Sequence, residues 1–417
     1  MAEIKITLIQ PRYVNIWESI GLGYVAAYCK KNFKGHLDMS YFQGYFDDDD
    51  LILSKAKESD IVGFSCTSPT FKNGISIARR LKEINPHIWI VFGGFHPSAL
   101  KDEVSSLDVV DQVVCGEGEK AFLSILNGNR DKIVRGSPVD FSELPFPDRE
   151  FIKNHREVEL CFSMIKKRIV SFQSARVCPF QCVFCAERVI TGKSNKKINP
   201  IRTRNADNLL DEIEIISRRY SLDMFKFVDA TWNTSIDKVI DFCKKKIQRN
   251  NTIEWECNIH AALTSEEMFY WMSQANCKQI NVGCESGSPK ILKQIKKGVT
   301  VERIVKVFAW ARKYGILRRG FFSIGMPDES EDDIRLTEKL VKEINPDVFG
   351  VTILCPYPGT GLYKRDAFSE VDWSFADEYS NDFWRTKYFT NQDLKYWQSY
   401  LVNKFKDNLA WRHKVVL

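Results

Sequence analysis

A chain of 417 residues is long enough for two or three domains, each with its own core. Apolar residues make up 44% and charged ones 27%, an ordinary balance for a folded soluble protein, and no run nears the roughly 18 apolar residues that a membrane span needs. The net charge of +6 is spread over lysine-rich faces such as KKKIQR (244–249), which does not indicate a nucleic-acid partner. The opening MAEIKITLIQP runs straight into a strand-like stretch without a basic region ahead of a long apolar one. Secretion is therefore not expected, and a cytoplasmic setting is. Twelve cysteines then mean reduced thiols, nine of them scattered through apolar runs as core residues.

From residue 3 to about 135, short apolar runs alternate with amphipathic ones. IKITLI (4–9), LDMSYF (37–42), IVGFSC (61–66), IWIVFGG (88–94) and VDQVVCG (110–116) read as strands, with helical periods near 20–32, 50–57, 72–84 and 97–105. This predicts an α/β domain over 1–140, a doubly wound, Rossmann-like parallel sheet covered on both faces. Ligands of such sheets sit outside the carboxyl ends of the strands. There the chain places SCTSPT (65–70), GGFHPS (93–98) and GEGE (116–119). Each alone reads equally as a plain strand-to-helix turn; three on one edge suggest a ligand platform. FSELPFPDREF (141–151) has two prolines and no regular period, and it begins a linker over 141–165.

Strand and helix then alternate about six more times. The strand-like runs are RIVSFQS (168–174), MFKFVDA (224–230), IEWECNI (253–259), QINVGCE (279–285), GFFSIGM (320–326) and DVFGVTIL (347–354). Helical runs lie near 206–219, 235–249, 265–276, 287–296, 301–314 and 331–344, with Thr264 and Glu267 as a capping box and Ser330 with Asp333 as a looser one. Six such units predict a partial (β/α)6 barrel of TIM type over 166–365, with its functional residues at the carboxyl ends of the strands. CPYPGTGLY (355–363) closes it. Residues 366–417 turn aromatic and charged, with a helical period only from about 391, and form a small α-rich cap. There Tyr379, Trp384, Arg385 and Tyr388 are candidate substrate contacts; the plainer alternative is a helix covering exposed barrel core.

The first barrel strand leads into CPFQCVFC, with Cys178, Cys182 and Cys185 spaced x3 then x2. Three thiols in eight residues can hold three irons of a [4Fe-4S] cube and leave the fourth without a protein ligand. A structural zinc site would need a fourth ligand, and no second Cys or His pair follows at suitable spacing. A ferredoxin-type cluster would need a fourth Cys placed to complete the set.

The CxxxCxxC spacing with an aromatic, Phe184, before the last Cys resembles the motif of radical S-adenosylmethionine (SAM) enzymes. That resemblance implies that the open iron is chelated by the SAM methionine and that reduction, by an external donor of flavodoxin or ferredoxin type, yields a 5′-deoxyadenosyl radical. The carboxyl ends of the other strands then become the wall of the SAM site: Asp229, Asn258, His260, Gly283, Glu285, Ser286 and Gly325. Glu285 can accept both ribose hydroxyls and Gly283 lets backbone come close to a nucleoside, in keeping with the family's ribose-touching segment at GCESG. Phe184 would touch adenine. Asp229 reads as a contact to the SAM ammonium or as a helix N-cap, His260 as a contact or a satisfied rim residue, and Trp232 as packing.

The N-terminal platform, with the loop PRYVNIWESIGLGY (11–24), resembles the cobalamin-binding domain fused ahead of many radical SAM domains. By that resemblance the corrin lies on the strand ends, over a 67–71 loop of Thr67, Ser68, Pro69, Thr70 and Phe71. Its nucleotide tail passes near Gly93, Gly94 and the turn of Gly116, Glu117 and Gly118. The DxHxxG box that supplies an axial His elsewhere is absent; His96 has the wrong context and reads as a loop contact. The implied cofactors are a [4Fe-4S] cluster, SAM, and cobalamin without a His ligand.

The expected activity is that of a cobalamin-dependent radical SAM methyltransferase acting on an unactivated carbon or a phosphinate phosphorus of a small molecule or a peptide. Two alternatives are an oxidative cyclase or ring-rearranging enzyme with the same cofactors, and a non-catalytic cobalamin or redox sensor. The intact Cys triad and the GCESG stretch count against the sensor.

Overall fold

A computed structural model describes residues 3–14, 18–192, 200–377 and 381–408. The chain forms two compact units, one of Met1–Leu160, Ala186–Lys193 and Tyr357–Ala376, the other of Cys161–Cys185, Ser194–Pro356 and Asp377–Leu417. The division falls at Leu160, within the stretch read as linker, and again at Tyr357, within CPYPGTGLY. Among the described residues, no helix is long and apolar enough to cross a membrane.

The first unit carries β1 (Glu3–Gln10), β2 (His36–Gln43), β3 (Ile61–Ser65), β4 (Trp89–Gly93), β5 (Gln112–Cys115) and β6 (Ile133–Arg135), all parallel, in the order β2-β1-β3-β4-β5-β6. Parallel strands under helices on both faces must be apolar on both faces. Val62, Phe64, Ile90, Phe92 and Val113 belong to one buried cluster, and Ile6, Leu8, Val91 and Val114 to another. Strand order reverses between β1 and β3, the switch point at which such sheets bind ligands. β6 and the helices Gly118–Leu126 and His155–Ile165 were not anticipated; β6 has only three residues, too few to show a period. The helix expected over 72–84 starts at Ser68, so residues 68–71 are its first turn and not a loop. Pro at its start fits, because the missing N–H there has no helical partner to lose.

The second unit carries β7 (Ile169–Phe172), a two-stranded antiparallel rung of β8 (Ala175–Arg176) and β9 (Arg202–Thr203), then β10 (Met224–Phe227), β11 (Glu254–Ile259), β12 (Cys277–Glu285), β13 (Leu317–Ile324) and β14 (Val348–Ile353). The six long strands lie parallel in the order β14-β13-β12-β11-β10-β7, an open (β/α)6 arc. Their outward side chains pack under the helices: Phe225, Phe227, Trp232, Phe242 and Trp255 form one aromatic cluster with neighbouring centroids 4.8–6.3 Å apart. Trp232 is thus packing. Burying each such ring stabilises by roughly 1.5–3 kcal/mol.

Ser330 and Asp333 form the expected capping box. At the helix Glu266–Gln274, however, the cap is Ser265, whose Oγ accepts from Met268 N at 3.2 Å; the Thr264 hydroxyl donates instead to Ala261 O at 2.8 Å. The tail helix Asn391–Lys404 lies against β14, with Gln398 Nε2 donating to Val351 O at 3.1 Å. It therefore covers barrel core.

Candidate active site

The Cys motif spans the loop between β8 and β9, whose pairing of Ala175 with Thr203 and of Arg176 with Arg202 closes its base. Val177, directly before Cys178, has φ +76, a costly conformation for a β-branched residue that packing must enforce. Cys178, Cys182 and Cys185 are all half-buried, whereas eight of the other nine cysteines are buried. The Cys178 Sγ lies 3.4 Å from the Thr231 hydroxyl, and Val183 N donates to Ile295 O at 3.1 Å.

Two side chains pin this loop. Asp229, 3% exposed, accepts from Ser174 N at 2.9 Å and Ala175 N at 2.6 Å through Oδ1, and from the Ser174 hydroxyl at 3.0 Å through Oδ2. Burial pushes its carboxyl up to about 7 against those bonds. His260 stacks on Phe180, inside the motif, with centroids 3.4 Å apart. Its Nδ1 accepts from Ala262 N at 3.3 Å, so Nε2 carries the proton and donates to Lys297 O at 2.9 Å. Burial, and then the Lys297 charge, lower its pKa to about 3, and the ring is neutral. Asn233 holds His260 by backbone from below, accepting from its N–H and donating to its carbonyl.

At the end of β12 the register shifts between Gly283 and Glu285, and Glu285 has φ +62. The bulge turns the Glu285 carboxylate towards Lys297, whose Nζ lies 2.7 Å from Oε1. Burial alone would lower the Lys297 pKa; the Glu285 carboxylate, with Cys182 also in reach, holds it above its usual value. A Cβ on Gly283 would come within 2.6 Å of the Glu285 carboxylate and 2.7 Å of the Lys297 ammonium, so a larger residue would have to displace the ends of both side chains. Asn258, half-buried, donates to Asp229 O at 3.2 Å.

Ser286 is fully buried, 3.2 Å from the Thr337 hydroxyl, and shapes the turn. Gly325 has φ +88; its N–H donates to buried Glu329 at 2.6 Å and its carbonyl accepts from Trp384 Nε1 at 2.7 Å. Trp384 is therefore a tie between tail and barrel, while Arg385 and Tyr388 are exposed. Tyr379 lies outside the described residues. Phe184 is half-buried. Sequence reasoning missed Lys297, Glu329 and Phe180. Lys297 stands in a run of lysines that reads as surface, and only the bulge at Glu285 singles it out.

In the first unit the three candidate loops meet. Cys66 N donates to Gly93 O at 2.8 Å, His96 N to Cys66 O at 3.2 Å, and Gly116 N to the Ser98 hydroxyl at 3.1 Å. Gly94 has φ +96, and a Cβ there would fall 2.6 Å from Cys66 O. His96, 4% exposed, has Nδ1 3.0 Å from the Ser68 hydroxyl and its ring stacked 4.3 Å from Phe71; burial lowers its pKa to about 4. Ser68 and Thr70 are buried, and Thr67 N donates to Thr70 Oγ1 at 2.9 Å. Gly116 and Glu117 line a cavity of about 320 Å³ with Ser98, Lys101 and Arg135. Gly118 lies against Val25, where a Cβ would sit 2.9 Å from Cγ2 and push the two helices apart.

The donor chemistry fits the two implied groups. Three accessible thiolate donors suit an iron-sulfur cluster. The edge of the first sheet offers a switch point, backbone brought close by Gly94, and a cavity beside Gly116.

Comparison with known proteins agrees. Residues 172–341 match the model of the Radical SAM superfamily and residues 8–126 that of the B12 binding domain. An uncharacterized methyltransferase of Pyrococcus horikoshii is 28% identical over 83% of this chain and 77% of its own. The anaerobic magnesium-protoporphyrin IX monomethyl ester cyclase of Rubrivivax gelatinosus is 23% identical over 87% of this chain and 70% of its own. In fold, the chain is similar to the radical S-adenosylmethionine methyltransferase TsrM from Kitasatospora setae, solved with cobalamin and a [4Fe-4S] cluster. The TM-score is 0.69 at 16% identity, covering 87% of this chain and 77% of that one. Fold and thiol triad thus define a radical SAM enzyme. Within that class, the chain belongs to the cobalamin-binding radical SAM family.

Proposed function

We propose that this protein is a methyltransferase that uses cobalamin and radical SAM chemistry to methylate an unactivated carbon or a phosphinate phosphorus. The observation that carries the reading is a half-buried thiol triad, pinned at the strand ends of a (β/α)6 arc, in one chain with a B12-binding domain. When bound, the cluster supplies the electron that cleaves SAM to a 5′-deoxyadenosyl radical, and cobalamin supplies the methyl group.

The chain's own part is to bind, orient and exclude water. Cys178, Cys182 and Cys185 would hold the cluster. Glu285, steadied by Lys297, would accept the ribose hydroxyls; Gly283 backbone and Phe184 would flank the nucleoside, with Asn258 beside them. Asp229 and neutral His260 act through the loop they pin, and Ser286, Gly325 and Trp384 act through the turns they fix. In the first unit, residues 67–71, Gly93, Gly94, His96 and the turn at 116–118 would form the corrin platform without a His on cobalt. Arg385 and Tyr388 are the tail residues open to a substrate. The reading also includes a one-electron donor of flavodoxin or ferredoxin type and a cytoplasmic setting.

A cyclase reading is favoured by the Rubrivivax relative. Product analysis with SAM labelled at its methyl separates the two, since only methyl transfer puts the label in the product. Cys182→Ala should abolish cluster absorption and 5′-deoxyadenosine formation together; normal 5′-deoxyadenosine would sink the proposal. Protein reconstituted anaerobically with hydroxocobalamin should retain it through desalting.

A further inference from the structure

The inner face of the open (β/α)6 arc is not packed as the interior of a closed parallel barrel is. Parallel barrels usually fill their interior with Val, Ile and Leu. Here the apolar residues pack on the outer face, where Phe225, Trp255, Ile280, Val282, Phe322 and Val351 are all buried. The inner face instead carries polar side chains in register. Lys226 stands beside Ser171 and Glu256, and Glu256 beside Gln279. One step nearer the carboxyl ends, Asn281 stands between Asn258 and Arg319.

These side chains share one surface. Gln279 Nε2 donates to Glu256 Oε2 at 3.2 Å and to Asn281 Oδ1 at 2.9 Å, and the Arg319 guanidinium lies 4.6 Å from the centre of the Phe321 ring, two residues on. Lys226, Glu256, Gln279 and Arg319 are half-buried, so the face is neither packed dry nor open surface. Polar groups in such a concavity cost stability unless a polar ligand or water meets them. Lys226 and Arg319 both act on the Glu256 carboxylate, with Lys167 further off. Arg319 sits three residues before Phe322, the register partner of Glu285, and so about 10 Å deeper than the Glu285–Lys297 pair at the strand ends.

Resting on the reading of this protein as a methyltransferase, we propose that the inner face seats an anionic group of the methyl acceptor. That group is a carboxylate or phosphate, taken by Arg319 and Lys226 with the amides of Asn281 and Gln279 beside it. The acceptor is accordingly a polar acid and not an all-hydrocarbon lipid. Arg319 suits the task because its planar fork matches either oxyanion.

The test is chemical footprinting of the reconstituted holoenzyme with phenylglyoxal, with arginine adducts quantified by peptide mass spectrometry. Inorganic phosphate, acetate and SAM are added separately. Arg218, whose side chain is 79% exposed, is the internal control. Phosphate or acetate should slow modification of Arg319 and leave Arg218 unchanged, while SAM alone should not protect Arg319. Protection by acetate as well as phosphate points to a carboxylate acceptor, and protection by phosphate alone to a phosphoryl group.

Lys226→Gln should weaken the anion's midpoint about tenfold, the worth of one charge-assisted bond, and leave SAM affinity as it was. Equal protection by SAM would place Arg319 in the SAM site and overturn the proposal, as would absence of protection by either anion or a wild-type midpoint in Lys226→Gln. Assaying 5′-deoxyadenosine and retained cobalamin in the same preparation keeps the two claims apart. If both are normal and Arg319 is unprotected, this inference alone fails; if both are lost, the reading of the enzyme fails.

Discussion

Lys297→Met would remove the cation from a pair whose side chains are 9% and 13% exposed and 2.7 Å apart, leaving Glu285 inside without a partner. Breaking a buried pair from one side costs about 3–5 kcal/mol, and the residual exposure here favours the lower figure. For a unit of this size, about 3 kcal/mol corresponds to a fall in Tm of roughly 6–12 °C. Scanning calorimetry on cofactor-free protein keeps ligand linkage out of the measurement. Glu285→Gln alone leaves a buried ammonium and should cost a comparable amount, whereas the double variant removes both charges and should recover much of the loss. The reasoning is refuted if the two single effects add to within about 0.5 kcal/mol, because residues in contact should not be independent.

Other perturbations test other parts of the site. Burial pushes Glu329 up to about 8 from an ordinary value of 4.5, so the folded protein binds a proton that the unfolded chain releases. Stability should therefore fall as pH rises from about 4.5 to 8, by an amount on the order of a few kcal/mol. Glu329→Gln should flatten that slope in pH-dependent urea melts; an unchanged slope would show that Glu329 does not titrate there. Asp229→Ala would leave Ser174 N, Ala175 N and the Ser174 hydroxyl without their acceptor. A loss of about 1–3 kcal/mol and less iron per chain after reconstitution are expected, and full iron content would argue against a role in loop placement. Gly94→Ala would drive a Cβ into Cys66 backbone at φ +96 and should reduce cobalamin retained after desalting; wild-type retention would remove Gly94 from the platform.

Much of the architecture was readable from local pattern alone. The strands of the first sheet are apolar runs because each is covered on both faces, those of the second are apolar on the face that packs under helices, and their spacing by amphipathic helices makes parallel pairing the natural outcome. The three-residue strand β6 and the rung of β8 and β9 escaped because two or three residues carry no period. The helix starting at Ser68 escaped because TSPT reads as a turn, although Pro is also a good first-turn residue.

The site divides in the same way. Spacing determined the Cys triad, since three thiols within eight residues must share a loop, and it placed Gly283, Glu285 and Gly94 at strand ends. Tertiary structure decided what those positions do. Lys297 becomes the partner of Glu285 only because a bulge rotates the carboxylate inward across twelve residues of chain. Asp229, which the sequence offers as a ligand contact or an N-cap, spends its hydrogen bonds on Ser174 and Ala175 at the base of the cysteine loop, whereas His260 stacks on Phe180 within that loop and donates to Lys297 O. Polar and apolar residues alternate along β11 and β12 in a way that names two faces, but only the packed helices outside identify the inner one as the polar face. Composition and spacing act over a few residues, whereas which groups meet across 30 or 50 residues is settled by the packing of strands and helices, and the chemistry of the site depends on those meetings.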